Sequence, residues 1–161
     1  MSPRALPKHL RRRVRYLAVV VRHWPDATVD RNGLQRELWR SARGLIGDAG
    51  SARAILEVVH YDDELVPTVA IVRVERDSLA TARAAIACLD RIDEEPVAAH
   101  VIGTSGTIRA CEEKYLGGRQ QASPERPVAF EGATRRSAVA ADGRDVRLDG
   151  SFVAATERDL T

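Results

Sequence analysis

The sequence has few of the residues that usually mark a catalytic or metal site. Its 161 residues include only two cysteines, Cys88 and Cys111, without a Cys-x-x-Cys motif or a Cys/His cluster at zinc spacing. The four histidines are dispersed, and no Ser/His/Asp or Cys/His set has support from neighbouring residues. We therefore expect no catalytic residue, no metal ligand and no cofactor bound by this chain.

Long apolar runs are also missing. No stretch approaches the about 18 apolar residues of a membrane-spanning helix. The run Leu17–Val21 is too short for the apolar core of a signal peptide. A chain without either signal is expected in the cytoplasm and away from membranes, where a reducing environment keeps Cys88 and Cys111 as thiols.

Acidic residues are absent from the first 25 positions. Residues 1–53 contain twelve Lys/Arg and four Asp/Glu, a net charge of +8, although the whole chain carries only +2. The rest of the chain therefore carries a net charge of −6. A basic front and an acidic back can contact a polyanion with one surface and a protein partner with another.

Apolar periodicity predicts four strands and two long helices. The strands show continuous or alternating β-branched residues, and the helices show apolar residues at helical spacing. A short third helix is predicted within Thr107–Leu116. The predicted strands are Val14–Arg22, Ala54–Tyr61, Thr68–Arg76 and Val97–Ile102, and the predicted long helices are Val29–Gly47 and Ser78–Ile92.

The order strand-helix-strand-strand-helix-strand predicts an α+β fold. It is typical of the ferredoxin-like split βαβ arrangement (βαββαβ), a four-stranded antiparallel sheet with both helices on one face. This domain covers residues 14–116 and follows a basic N-terminal arm at residues 1–13. Polar residues and glycines dominate the start of residues 117–161, so we expect a flexible, mobile C-terminal tail with a weak hairpin near Arg144–Val153.

Aromatic residues make up only 4% of the chain. Four-stranded RNA-binding sheets usually stack bases on aromatic residues of two central strands. Here the first predicted strand offers only Tyr16 and the third offers none, so base stacking on the sheet face is not expected. The open sheet face is predicted to be aliphatic, which suits burial against a protein partner. Trp24 and Trp39 are interpreted as residues of the core edge or of an interface.

The basic arm and the start of the first strand have the chemistry of a phosphate-binding surface. Arginine forms two parallel hydrogen bonds to a phosphate and also stacks on bases. Five cations here suffice for about four phosphates, each of which releases counterions on neutralisation. These cations are Lys8, Arg11, Arg12, Arg13 and Arg15.

The loop Gly103–Arg109, with the sequence GTSGTIR, is a second candidate anion site. Its two glycines permit a turn in which consecutive N–H groups point into one concavity. Ser105 and Thr107 add hydroxyl donors, Arg109 adds a charge, and a following helix N-terminus strengthens anion binding. On spacing alone, an ordinary turn after an edge strand is an equal alternative.

Four segments together resemble the archaeal ribonuclease P protein component 2 family, which is related to the eukaryotic Pop5 and Rpp14-type subunits. The last segment is the most specific, because a Gly-x-Ser-Gly-Thr-Ile-basic run leading into Lys-Tyr-Leu is unusual. The resemblance covers roughly residues 5–116. The segments are LPKHLRRRVRYLAV (Leu6–Val19), LQRELWRSARGLIGDAGSA (Leu34–Ala52), IVRVER (Ile71–Arg76) and VIGTSGTIRACEEKYL (Val101–Leu116).

Membership of this family implies a role in a ribonucleoprotein endonuclease. Ribonuclease P cuts precursor tRNA to form the mature 5′ end. Its catalyst is an RNA that binds Mg2+, and its proteins support RNA folding, substrate affinity and metal use. The implied partners are the ribonuclease P RNA, protein component 3 in a two-plus-two heterotetramer, the other ribonuclease P proteins and, indirectly, precursor tRNA. The implied RNA contacts are Lys8, Arg11, Arg12, Arg13, Arg15, Ser105, Gly106, Thr107, Arg109 and Lys114.

Two other functions fit the same predicted fold. One is a small-molecule regulatory domain, which would bind an amino acid or a nucleotide at a loop such as Gly103–Gly106. The other is a module that only contacts other proteins. The basic arm separates the first of these from the RNA-binding function, because a metabolite sensor has no need of such an arm.

Overall fold

The structure is a computed structural model that describes residues 6–64, 67–117, 125–140, 143–149 and 151–160. The first five residues of the predicted arm and parts of the predicted tail lie outside these described residues. The secondary structure, in chain order, consists of β1 Val14–His23, α1 Arg31–Ala54, β2 Glu57–Asp62, β3 Thr68–Glu75, α2 Leu79–Ala87, β4 Arg91–Ile92, β5 Glu95–Ser105, α3 Ile108–Tyr115, β6 Arg126–Phe130, β7 Ala133–Ala140, β8 Gly143–Leu148 and β9 Ser151–Ala155.

The first five strands form one sheet in the order β2-β3-β1-β5-β4, and every neighbouring pair is antiparallel. The predicted sheet of four strands is therefore wrong in its strand count. The additional strand β4 has two residues, which pair with Glu95 and Pro96 at the start of β5. So short a strand shows no alternation of apolar residues, and the sequence pattern assigned it to the end of the second helix.

The main core lies between this sheet and the helices α1 and α2. The central strand β1 contributes Leu17, Val19 and Val21, which are at most 1% exposed. Leu34 and Leu38, which lie one helical turn apart on α1, pack against these strand side chains. The continuous apolar run of β1 is explained by this position, because a central strand covered on both faces needs apolar residues on both.

Helix α1 begins two residues after the predicted start at Val29 and ends seven residues after the predicted end at Gly47. The Asp30 side chain accepts a hydrogen bond from the Gly33 backbone N–H at 2.7 Å, which caps the first turn. Gly47 has φ 70° and ψ 179°, so the helical conformation breaks at the predicted end. The chain then resumes helical turns as far as Ala54, which the sequence pattern placed in a strand.

The third helix covers part of the sheet face opposite α1 and α2. The Cys111 side chain of α3 is fully buried and packs with Ala18 of β1 and Ile71 of β3. Tyr16 and Tyr115 pack around this second, smaller cluster. The expectation of an open aliphatic face therefore fails here, because the chain covers this part of the face with its own helix.

The strands β6 to β9 form a separate antiparallel sheet in sequential order. The predicted weak hairpin near Arg144–Val153 corresponds to β8 and β9, but the other two strands were not predicted. Asp145 forms an ion pair with Arg22 of β1, and Arg147 donates to Asp26 at 3.2 Å, so the second sheet contacts the first. The mobility of residues 117–161 stays a prediction. Many of these residues belong to the strands β6 to β9.

No helix among the described residues is long and apolar enough to span a membrane.

Candidate nucleic-acid interface

Strand pairing brings the predicted arm and the predicted loop to the same end of the first sheet. β1 begins next to the arm and β5 ends at the loop, and Tyr16 of β1 pairs with Ser105 of β5. On the other side of β1, the Arg76 N–H donates to the Arg13 carbonyl at 2.8 Å. We call this end of the sheet, where β1 begins and β3 and β5 finish, the basic end.

The described part of the arm has local structure. Residues Lys8–Leu10 form a single 3-10 turn, which is closed by a hydrogen bond from the Leu10 N–H to the Pro7 carbonyl at 2.8 Å. The Arg12 guanidinium donates to the Arg53 carbonyl at 2.8 Å, so the arm is joined to the last residues of α1.

The five predicted arm cations differ in accessibility. Lys8, Arg11, Arg12 and Arg13 are exposed, whereas Arg15 is half-buried and donates to the Val14 carbonyl at 3.1 Å. The exposed guanidinium groups can therefore contact phosphates without unfolding any strand.

The loop after β5 leads directly into α3. The Thr107 hydroxyl accepts a hydrogen bond from the Ala110 N–H at 3.1 Å and caps the helix, which leaves its own O–H available to donate. Gly106 is exposed, has no left-handed φ, and has open space where a Cβ would stand. The backbone at this position therefore does not require glycine.

At Gly103, by contrast, a side chain would displace its neighbour. A Cβ at this position would lie 1.9 Å from Cζ of Tyr115, so the tyrosine ring rests directly on the glycine backbone. The next residue back, Lys114, places its Nζ 5.3 Å from the centre of the same ring. Arg109, at the start of α3, forms an exposed ion pair with Glu113 at 2.8 Å.

Three further arginines reach the basic end, and the sequence analysis did not select them. Arg76 is exposed immediately after β3, and Arg53 is exposed at the end of α1. Arg83 of α2 donates to the Thr104 hydroxyl at 3.0 Å, beside the loop. Arg76 ends a predicted strand and would have been found from the strand order, but the positions of Arg53 and Arg83 depend on helix packing.

Charge is separated along the strands of the first sheet. The opposite end holds the β2–β3 and β4–β5 connections, with the exposed acids Asp63, Glu64 and Glu94. Acids at the basic end are partly neutralised, since Glu57 pairs with Arg73 and Glu113 with Arg109. The two ends of the first sheet therefore differ in charge, but this division does not follow the predicted front and back of the sequence, because Arg76, Arg83 and Arg109 of the basic end come from the acidic back.

Two titratable side chains, Cys111 and His60, lie next to α3 or on it. Burial raises the pKa of the Cys111 thiol, which keeps it protonated and weakly nucleophilic. His60 lies 3.7 Å from the Glu112 carboxylate and is half-buried. Within the described ranges, no group of three or more His, Cys, Asp or Glu residues is arranged to hold a metal ion.

Comparison with known proteins gives consistent matches. The model of the Rpp14/Pop5 family matches residues 15–116. A protein of Natronomonas pharaonis named ribonuclease P protein component 2 is 48% identical over 155 residues, and the match covers 96% of both chains. A protein of the same name from Halorubrum lacusprofundi is 47% identical over 154 residues, which cover 96% of this chain and 97% of that relative.

More distant matches cover less of the chain. The protein named ribonuclease P protein component 2 in Thermococcus kodakarensis is 30% identical over 115 residues, or 71% of this chain and 92% of that relative. Among solved structures, a chain of yeast ribonuclease MRP matches with a TM-score of 0.49 and 16% identity, and the match covers 60% of this chain and 76% of that chain.

The extents of these matches differ for the two sheets. The family model ends at residue 116, just after α3, and does not include β6 to β9. The Natronomonas and Halorubrum proteins match 96% of the chain and so include most of the second sheet. The family model covers more than half of the sequence, and the chain belongs to the Rpp14/Pop5 family, together with the archaeal proteins named ribonuclease P protein component 2.

Proposed function

We propose that this chain is a protein subunit of ribonuclease P, the ribonucleoprotein endonuclease that forms mature tRNA 5′ ends. The observation that carries the proposal is the 48% identity, over 96% of both chains, to a protein named ribonuclease P protein component 2. The matched family model covers the whole first sheet except the first residue of β1. It does not include the arm. A small-molecule regulatory domain is not favoured, because the family comparison gives the chain a different role.

In this role, the catalyst is the RNA, and Mg2+ is held by the RNA rather than by this chain. The protein supplies cations at the basic end, which neutralise phosphates where RNA strands approach each other. Exposed arginines and the Thr107 hydroxyl, which accepts from Ala110 and can still donate, support that role. The proposed RNA contacts remain Lys8, Arg11, Arg12, Arg13, Arg15, Ser105, Gly106, Thr107, Arg109 and Lys114, and we add Arg53, Arg76 and Arg83.

The proposed partners follow from the same assignment. They are the ribonuclease P RNA, protein component 3 in a two-plus-two heterotetramer, the other protein subunits and, indirectly, precursor tRNA, in the cytoplasm of an archaeal cell. The acidic end of the first sheet is separated from the basic end by the length of β1, so RNA and protein can bind without competing for one surface.

Reconstitution of the holoenzyme tests the proposal. The ribonuclease P RNA and the other protein subunits are combined with or without this chain, and cleavage of precursor tRNA is measured over a range of Mg2+ concentrations. We expect the chain to lower the Mg2+ concentration needed for cleavage, because its cations replace part of the metal screening between phosphates. Identical cleavage curves with and without the chain would overturn the proposal.

A further inference from the structure

One aromatic side chain is exposed although the chain has few aromatic residues. Trp39 of α1 is 47% exposed, whereas the other tryptophan, Trp24, is only 3% exposed. An indole ring that leaves half of its surface in water forfeits a large favourable burial free energy. Such a ring in a chain with 4% aromatic residues calls for an explanation beyond the packing of the core.

Hydrogen bonds fix the orientation of the ring. The Trp39 Nε1–H donates to the Leu56 carbonyl at 3.1 Å, and the Gln35 side-chain amide donates to the same oxygen at 2.8 Å. One turn earlier, the Arg31 guanidinium donates to the Val58 carbonyl. These three side chains bond to carbonyls along the outer edge of β2 and the residue before it, and β2 is the edge strand of the first sheet in the described part of the chain. Because the only polar atom of the indole is bonded to the protein, the surface that faces water is carbon.

Arginines flank the ring on the helix surface. On the surface of α1, Arg36 precedes Trp39 by three residues and Arg43 follows it by four, so both are its neighbours on the helix face. Arg40 is the adjacent residue and is also exposed. Each of the three arginines has a single carboxylate partner, and these partners are Asp93 for Arg36, Glu37 for Arg40 and Asp48 for Arg43.

Trp39 also lies close to the proposed RNA surface. Its hydrogen-bond acceptor, Leu56, comes three residues after Arg53, and the Arg53 carbonyl holds the Arg12 guanidinium of the arm. The ring and the arm are therefore joined through one short segment between α1 and β2. This segment contains a tight turn about Ile55, which has φ 73°, and the Leu56 N–H donates to the Ala54 carbonyl across it at 3.0 Å.

We propose that Trp39 is a stacking platform for an unpaired base of the bound RNA. The base lies on the exposed carbon face of the indole, and the flanking phosphates contact Arg43 and Arg12. Arg43 exchanges its exposed partner Asp48 for a phosphate, at little cost because exposed ion pairs contribute little stability. This inference rests on the proposed RNA-binding function and adds a site that reads single-stranded RNA, at a helix rather than on the sheet face.

The neighbours of the ring favour RNA over a protein partner. The centre of a protein–protein interface is depleted in charge and rich in apolar side chains. On the helix face of Trp39, the exposed neighbours are Arg36 and Arg43, and the apolar neighbour Ala42 is fully buried. A flat ring surrounded by arginines is instead typical of sites that bind single-stranded nucleic acid.

Fluorescence of the wild-type chain provides the first test. Trp39 is exposed and Trp24 is buried, so a change in the environment of Trp39 dominates the response to added ligand. We expect a single-stranded oligoadenylate of about ten nucleotides to quench the emission, because a stacked base contacts the indole directly. A blunt RNA duplex of the same length should bind through phosphates and quench much less. Equal quenching by both RNAs would contradict stacking.

Two variants provide the second test. Trp39→Leu and Trp39→Phe both lose the hydrogen bond to Leu56, but only the phenylalanine keeps an aromatic face. For the ribonuclease P RNA, we expect Trp39→Leu to lower the affinity about 5- to 100-fold at constant salt slope, and Trp39→Phe to lower it about threefold or less. Equal losses in both variants would assign the effect to the hydrogen bond and overturn the proposal. Urea unfolding of both variants verifies that they are folded.

The outcomes separate this inference from the proposed function. If the wild-type chain does not support cleavage by the ribonuclease P RNA, the proposed function fails. If the wild type supports cleavage but both Trp39 variants bind RNA as the wild type does, only the stacking site fails. If RNA affinity is unchanged and the Trp39→Leu chain no longer assembles with protein component 3, the ring contacts protein and the stacking proposal is overturned.

Discussion

The ring of Tyr115 lies on the backbone of Gly103, and a Cβ at that glycine would stand 1.9 Å from the ring Cζ. Gly103 of β5 pairs with Ala18 of β1, which is fully buried in the same cluster as Tyr115. Two small residues on adjacent strands thus leave room for the tyrosine ring. This contact closes α3 onto the sheet next to the segment Ser105–Arg109, which carries four of the proposed RNA contacts.

We therefore expect Gly103→Ala to displace the Tyr115 ring and to lower the free energy of unfolding by about 1–3 kcal/mol. Urea unfolding measures this loss. In a chain that already carries Tyr115→Leu, the same glycine change should cost less, because the clashing ring is gone. If the losses of the two single variants simply add in the double variant, the tyrosine ring is not what restricts the size of the side chain at residue 103.

The same loop offers a matched control. Gly106 has open space around its Cβ position and no left-handed φ, so Gly106→Ala should fold with unchanged or slightly higher stability. The bulkier change Gly106→Val should also fold and should weaken RNA binding, because the side chain stands over the proposed contact surface. A Gly106→Val chain that loses its stability would show that the loop is tightly packed.

The first sheet was predictable from the sequence because its strands have buried faces. The apolar run of β1 and the alternation in β3 identified both strands to within one residue, and Thr107–Leu116 contains α3. The second sheet was not predictable in the same way. Its strands place arginines such as Arg135 and Arg147 among small residues, and this pattern lacks the large apolar alternation that marks a strand.

The candidate site was predictable only in part, for a similar physical reason. The arm and the loop stand out because each is a local run of suitable residues. Arg83 and Trp39 belong to the surface only because helices α1 and α2 pack in a particular orientation on the sheet. Sequence spacing on one helix carries no information about which strand edge that helix will cover.

The salt dependence of RNA binding tests the arm directly. A chain with Arg11→Ala, Arg12→Ala and Arg13→Ala should bind the ribonuclease P RNA more weakly, and the slope of log affinity against log salt should fall by up to about three units. A chain with Arg91→Ala, Arg126→Ala and Arg158→Ala loses the same charge from exposed positions away from the basic end. This control should keep the wild-type slope. Equal changes in both chains would mean that only total charge matters.

The arginines that the structure adds to the surface make a separate prediction. Arg76→Ala and Arg83→Ala should each reduce the salt slope by about one unit, as expected when one phosphate contact is lost. Both side chains are exposed, so the variants should remain folded. Arg83→Ala should have the larger effect on the loop, because its guanidinium is bonded to the Thr104 hydroxyl. If both variants keep the wild-type salt slope, the RNA does not contact Arg76 after β3 or Arg83 of α2.

Thiol chemistry tests the position of α3. Cys88 is exposed and Cys111 is buried, and burial also raises the pKa of the Cys111 thiol. A thiolate-selective disulfide reagent at about pH 8 should therefore modify one thiol of the folded chain quickly and the second only after unfolding. Cys88→Ser should remove the fast reaction. Two fast thiols in the wild type would show that α3 is not held on the sheet.

Alkaline pH tests the packing of β2 against the start of α1. The Tyr61 hydroxyl donates to the Val29 carbonyl at 3.1 Å, and burial, reinforced by the charge of Asp63, raises the pKa of Tyr61 to about 12. The unfolded chain loses this proton near pH 10. The resulting stabilisation is therefore complete below about pH 10 and is lost as the pH rises from about 10 towards 12.

The variant Tyr61→Phe should lose about 1 kcal/mol at pH 8, where the hydrogen bond is intact in the wild type. The difference between the two chains should shrink between about pH 10 and 12, because only the wild type must then keep a buried phenol protonated. Urea unfolding at fixed pH values measures the difference, and absorbance near 295 nm follows the phenol itself. A difference that stays constant to the highest pH would show that Tyr61 ionises as it does in the unfolded chain.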